Sequence, residues 1–289
     1  MALIDDRPRR TTNRVMGAAW SPEKPHGEAV ERTLPEEIAV SIRLNGRPLA
    51  VVISSPGDYA DLGLGFAITE GLVARAEGVA DCLVAAKGAG MTVDVRLSAT
   101  AVSPVSPRER ILPGRSSCGL CGITRLEDAV RALRPVGPGG YMDPANLHDA
   151  FSRLPPRQPL NEETRAVHAA AHLRPDGSFT LVREDIGRHN ALDKLVGALA
   201  RAGIAAADGA VLLTSRASYE MIDKAAAAGV RILAAISAPS ALALRKAETA
   251  GMTLVGVARR DSFVVFTGGE RLGLSGLPGN PLMTGDPHD

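Results

Sequence analysis

The sequence predicts an α/β chain, α+β overall, in which a small mixed N-terminal domain precedes a layered α/β domain. Three observations carry this. From Phe179 onward, short apolar strands alternate with amphipathic helices, which is the pattern of a layered sheet with parallel members. Between Ile38 and Ile53, a period-two alternation is interrupted by Asn45-Gly46, which reads as an antiparallel hairpin. The 289 residues are 45% hydrophobic but only 3% aromatic, so the core must be built from Ala, Val, Leu and Ile.

In chain order, residues 1–28 are polar and Pro-rich and read as a flexible tail. Residues 29–160 form the first region. It opens with the hairpin "IAVSIRLNGRPLAVVIS", followed by a helix, "DLGLGFAITEGLV", for which Asp58 or Asp61 is the candidate cap. "CLVAA" and "MTVDVRLS" read as two further strands. From Val102 to Gly122 the prolines 104, 107 and 113 exclude regular structure, so this is a loop, and it presents Cys118 and Cys121. Short helices are expected near Leu126–Leu133 and over "NLHDAFSRL". Residues 161–289 form the second region: "AVHAAAHL", then "FTLVRE" (strand), "NALDKLVGALARAG" (helix), "GAVLLTS" (strand), "YEMIDKAAAAG" (helix), "RILAAIS" (strand), "SALALRKAETAG" (helix, Ser240 as N-cap) and "MTLVGVA" (strand). "SFVVFTG" adds an edge strand, and the Gly/Pro-rich end is irregular.

The totals exclude several functions. A net charge of +1 gives no global attraction to nucleic acid or to an anionic membrane. No apolar run approaches the ~18 residues of a membrane span. Three cysteines, two of them three positions apart, suit a reducing compartment rather than a disulfide framework, and the expected location is cytoplasmic.

"SSCGLCGI", residues 116–123, permits three chemistries: a metal clamp, a redox pair, or a reactive sulfur. A thiolate is the reactive form of cysteine, and Arg115 lies close enough in sequence to favour it. Zinc is the competitor. His168 and His172 stand at i, i+4, and on a helix they would share a face and complete a Cys₂His₂ set with Cys118 and Cys121. A zinc deaminase needs His-x-Glu before its Cys pair, whereas here Ala169 and Ala170 follow His168 and the Cys pair comes first. Cys82, in an apolar strand, reads as a packed core residue.

Three strand-end segments concentrate charge and hydroxyls: Arg183, Glu184, Asp185, Arg188, His189, Asp193 and Lys194; then Ser215, Arg216, Ser218 and Tyr219; then Arg259, Arg260 and Asp261. An exposed, salt-bridged turn is the plain reading of the first. Together they suggest one phosphate-bearing ligand at the carboxyl ends of the strands. Neither a P-loop nor a GxGxxG motif is present.

The motifs CGLCG, VHAAA, REDIGRHNALDKL, SRASYEMIDKA and MTLVGVAR, in this order between about Leu34 and Leu272, resemble the FdhD family of sulfur carrier proteins. The resemblance implies sulfurtransferase function in the service of formate dehydrogenase. It implies a persulfide taken from an IscS-type cysteine desulfurase and passed to the molybdenum bis(molybdopterin guanine dinucleotide) cofactor, bound as acceptor, with no metal held directly by the protein. It also implies a cytidine deaminase-like second domain and a homodimer. By the same resemblance Cys118 is the persulfide carrier and Cys121 its partner. Val257, Ala258, Arg259, Arg260, Asp261 and Ser262 would contact the cofactor, with Asp185, Arg188 and His189 behind them. One departure stands out: Arg165-Ala166 occupies the place of a family glycine pair. The terminal GLPGNP resembles a short motif of molybdenum insertion enzymes, and a plain turn is the simpler reading.

Overall fold

The computed structural model describes residues 11–98, 133 and 135–275. Cys118, Cys121, the helix expected near Leu126–Leu133 and the terminal GLPGNP lie outside the described residues.

The chain first forms an antiparallel ribbon, β1 (Thr12–Ser21) and β2 (Lys24–Pro35), in register from Thr12 opposite Pro35 to Ser21 opposite Lys24. The flexible tail expected over 1–28 is therefore, from Thr12 onward, ordered strand. The reason it escaped sequence reading is physical. Alternation of apolar and polar residues marks a strand that buries one face, and β1 buries none of its residues.

The first sheet has the order β4-β3-β6-β5. β3 (Ile38–Leu44) and β4 (Arg47–Ser54) form the predicted hairpin. Asn45 (φ 49°) and Gly46 (φ 81°) take consecutive left-handed conformations, as a type I′ turn requires. β5 (Val79–Lys87) and β6 (Gly90–Leu97) follow, with β6 parallel to β3. Across this sheet lies α1 (Tyr59–Thr69), whose residues are all buried except Ala60. A helix buried on every side packs on two partners. Leu62 faces Val40 and Val93 of the first sheet, while Phe66 and Ile68 join the core beneath the second sheet. Neither predicted cap operates. Asp58 has φ 51° and makes no side-chain cap bond, and the buried Asp61 carboxylate instead accepts from Arg183 and Arg201, each at 2.8 Å.

The second sheet has the order β12-β11-β10-β9-β7-β8. Its elements are α2 (Pro144–Arg153), α3 (Pro159–Thr164), β7 (His168–Leu173), β8 (Phe179–Asp185), α4 (Arg188–Arg201), β9 (Ala210–Leu213), α5 (Tyr219–Ala227), β10 (Ile232–Ala235), α6 (Ala241–Ala250), β11 (Thr253–Gly256) and β12 (Val264–Thr267). The alternation expected from Phe179 onward is present, and Ser240 caps α6 by accepting from the Ala243 amide at 3.2 Å. Both faces are covered, so successive residues of β9 and β10 enter different cores. Val211, Leu213, Leu233 and Ala235 pack beneath the helices α4–α6. Leu212, Ile232 and Ala234 pack with Leu147 and Ala150 of α2. The segment from Val136 onward thus belongs with the second sheet, and the expected boundary at 161 moves some way toward the N-terminus. The Val136 amide donates to the Ala250 carbonyl at 2.9 Å.

Candidate functional site at the carboxyl edge of the second sheet

β9, β10 and β11 are mutually parallel, while β7 runs antiparallel to both β8 and β9. The carboxyl ends of β8, β9, β10 and β11 therefore lie on one edge, together with the amino ends of β7 and β12. Every strand-end segment singled out from the sequence opens onto this edge. So do the N-termini of α4, α5 and α6, whose dipoles favour an anion.

The first segment holds most of its charge in buried ion pairs. Asp185 is fully buried. One of its carboxylate oxygens accepts from the Gly187 amide at 2.8 Å and from Asn190 at 3.1 Å. The other accepts from the Ser54 hydroxyl at 2.6 Å, the Ser55 amide at 3.1 Å and Lys194 at 2.8 Å. With both oxygens occupied, Asp185 has no lone pair for a ligand. It positions the turn that carries Arg188 and His189 and ties that turn to the end of β4. Lys194 also donates to the Ser55 carbonyl, and Asn190 to the Ile53 carbonyl. Asp193 pairs with Lys224 at 2.9 Å and accepts from Thr69 at 2.6 Å. Glu184 accepts from the Leu160 and Asn161 amides, closing the start of α3, and burial raises its pKa. The segment is salt-bridged as the plain reading has it, but buried or half-buried rather than exposed.

The second segment follows β9. Thr214 accepts from the Ala169 amide at 2.8 Å and fixes the loop to β7. Ser240 donates its amide to the Ala217 carbonyl, joining this loop to the start of α6. Arg216 is exposed and has no acidic partner among the described residues. The Ser218 hydroxyl, at the N-cap of α5, is buried and has no hydrogen-bond partner among the described residues.

In the third segment, Val257 has φ 52°. A β-branched residue in the left-handed region is strained, and such strain collects where a loop must hold one shape. The Val257 amide reaches the Ser237 carbonyl at 3.3 Å, and the Arg259 amide donates to the Ser262 carbonyl at 2.7 Å. The Arg259 guanidinium donates to the carbonyls of Ala258 (2.9 Å) and Ile236 (3.3 Å), which locks this loop to the one after β10. Ala258 is buried, whereas Arg259, Arg260, Asp261 and Ser262 are exposed.

His168 opens β7 on the same edge and stands opposite Asp185 in register. Burial, reinforced by the charge of Arg188, lowers its pKa below the ordinary 6.5. Sequence reasoning weighed His168 as a zinc partner of His172 and against the deaminase His-x-Glu, and the strand removes the pairing with His172. Residues i and i+4 of a strand stand about 13 Å apart, too far to share one metal. His172 is also fully buried, with Nδ1 at 3.1 Å from the Thr180 hydroxyl. Ser54, Ser55 and Thr214 carried no signal in the sequence, because each acts through contacts distant along the chain. Arg165 ends α3 in the left-handed conformation (φ 55°, ψ 25°), the backbone shape that glycine adopts freely.

Cys82 lies on β5, remote from this edge, in a cavity of about 580 Å³ that Asp61, Asp81 and Arg201 also line. Burial, with the Asp81 charge, pushes its thiol up to about 11.

Comparison with known proteins gives one answer. The family model described as the FdhD/NarQ family matches residues 35–273. Sulfur carrier protein FdhD of Cupriavidus necator is 46% identical over 237 residues, covering 82% of each chain. The protein of that name from Xanthomonas euvesicatoria pv. vesicatoria is 43% identical over 252 residues, covering 87% of this chain and 90% of its own. The crystal structure of a formate dehydrogenase accessory protein from Desulfotalea psychrophila has the same fold, with a TM-score of 0.71 at 23% identity, covering 91% of this chain and 100% of its own. By its sequence matches the chain belongs to the FdhD/NarQ family.

Proposed function

We propose that this chain is a sulfur carrier that loads a persulfide on Cys118 and delivers its sulfur to a molybdenum bis(molybdopterin guanine dinucleotide) substrate held at the carboxyl edge of the second sheet. The observation that carries the reading is the convergence on one edge of three helix N-termini with Arg216, Arg259 and Arg260. That arrangement suits the phosphates of a guanine dinucleotide through charge-assisted bonds. The names of the relatives supply the chemistry: they are called sulfur carrier proteins, and the structural neighbour is described as a formate dehydrogenase accessory protein.

The exchange uses ordinary thiol chemistry. The Cys118 thiolate attacks the sulfane sulfur of a persulfide on an IscS-type cysteine desulfurase. A new S–S bond forms on Cys118, and the donor cysteine leaves as thiolate. Cys121 then attacks the Cys118 sulfur, the two cysteines become a disulfide, and the terminal sulfur departs as hydrosulfide toward the metal. The two thiols supply the electrons. His168 stays neutral beside Arg188, so it adds a hydrogen-bonding group to the edge without adding charge. Asp185 sets the start of α4 and does not touch the substrate. The thiol chemistry belongs in a reducing cytoplasm, and no helix among the described residues is long and apolar enough to cross a membrane. The carrier works as a homodimer, as the resemblance implies.

The cofactor edge is tested with guanosine diphosphate, which carries the guanine and both phosphates. Calorimetric titration should show binding to the wild type, weakened at least ~10-fold by Arg260→Ala and by Arg216→Ala, in proportion to a lost charge-assisted contact. Equal affinity in wild type and both variants would move the substrate elsewhere.

A further inference from the structure

The β1–β2 ribbon contributes no residue to the candidate site described above, and its surface is unusual. Every residue of β1 from Asn13 to Trp20 is exposed, including Met16 and Trp20, each with 68% of its surface accessible. The ribbon is tied to the body at its base, where Thr12 donates to Glu163 of α3, while the Glu36 amide extends the ribbon's own ladder by donating to the Thr11 carbonyl. An isolated two-stranded ribbon is marginal in water, so a ribbon of this length needs a further partner strand or face.

Its two edges differ in chemistry. β2 carries Pro25 and Pro35 with Lys24, Glu28, Glu31 and Arg32, the residue types that guard an edge against pairing. β1, "TNRVMGAAWS", has no proline and a single charge, Arg14. It is long, apolar and unguarded. It is also self-complementary. When β1 meets a second β1 antiparallel about Gly17, Arg14 falls opposite Trp20 of the second copy and Val15 opposite its Ala19. A guanidinium beside an indole gains a cation–π contact, and the two-fold axis makes it twice. Among the described residues of one chain Arg14 has only an exposed ion pair with Glu31 at 3.6 Å, which is weak.

We infer that the β1 edge is the surface by which two copies of this chain meet, joining their ribbons into a four-stranded antiparallel sheet about Gly17. The inference rests on the homodimer reading and names its interface.

The test is light scattering of the full chain together with cross-strand charge variants. The wild type should run at twice the 30.1 kDa chain mass. Val15→Glu with Ala19→Glu places like charges opposite one another across the seam, and should shift the protein to the mass of one chain. Val15→Lys with Ala19→Glu places opposite charges there and should restore the double mass. Independently, Gly17→Cys in a chain lacking Cys82, Cys118 and Cys121 should form a disulfide-linked pair on mild oxidation, and Ala29→Cys on β2 should not. A wild type at single-chain mass overturns both the dimer and its interface. A dimer that survives the like-charge variant, or that cross-links through Ala29→Cys and not through Gly17→Cys, overturns the interface and leaves the dimer standing.

Discussion

Gly65 on α1 and Gly197 on α4 each stand against the backbone of the other's helix. A Cβ on Gly65 would lie 1.7 Å from the Asp193 carbonyl oxygen, and one on Gly197 would lie 1.9 Å from the Asp61 carbonyl oxygen. The two helices therefore cross in contact, and this crossing joins the first sheet to the site edge. Gly65→Ala and Gly197→Ala should each lower stability by about 3 kcal/mol, the upper part of the usual overpacking range, because the obstruction is backbone. Urea unfolding checks this. The double variant should cost less than the sum, since both substitutions push apart the same pair of helices.

Asp185 and Lys194 form a buried pair at 2.8 Å, with 0% and 1% of their side chains accessible. Asp185→Asn leaves a buried ammonium without its countercharge and should cost about 3–5 kcal/mol. Replacing both with apolar residues of similar size should not recover that loss, because the Gly187 and Ser55 amides, the Ser54 hydroxyl and Asn190 would then lose a buried acceptor. Equilibrium unfolding of the single and double variants measures the difference. Loss of the single carboxylate should also weaken guanosine diphosphate binding, because the start of α4 is no longer held.

The His168 imidazole is held below its ordinary 6.5 by burial first and the Arg188 charge second, with Asp185 opposing. Near pH 6.5 the unfolded chain takes up a proton that the folded chain refuses. The stability that depends on this group is therefore complete above that pH and is lost as pH falls from there toward the folded value. Burial of His172 acts in the same direction. His168→Gln should flatten the acid side of the stability curve below ~pH 6.5, the unperturbed histidine value. Urea midpoints measured across that range report the slope.

Cys82, with its thiol pushed up to about 11, should be almost inert to iodoacetamide at neutral pH. Its labelling rate should climb about tenfold per pH unit until that value, because only the thiolate reacts. Peptide mass spectrometry of timed alkylations resolves Cys82 from Cys118 and Cys121. Fast labelling of Cys82 at neutral pH would make it a rival carrier.

The sequence made the second sheet readable because strands buried on both faces are written as continuous apolar runs, and VLL and ILAA sit between well-marked helices. It also located the three strand-end segments, since parallel strands must put their carboxyl ends together. It did not reveal the ribbon, whose strands bury nothing and so have no alternation to read. The His168–His172 spacing misled for a related reason. An Ala-rich stretch suits a helix by propensity, but the residues HAAAH also fill a strand packed tightly between two neighbours, and tertiary context decided. The role of Asp185 was hidden too. Its partners Ser54 and Ser55 stand far away in the chain, and only the fold brings them to one carboxylate.

The central claim is that Cys118 carries the sulfur, and intact-mass and peptide mass spectrometry after incubation with a cysteine desulfurase and cysteine tests it most directly. The account predicts a gain of ~32 Da, one sulfur atom, located on Cys118, removed by a reductant and absent from Cys118→Ala. Loading of Cys118→Ala to the wild-type extent, or a persulfide found on Cys82, would contradict it.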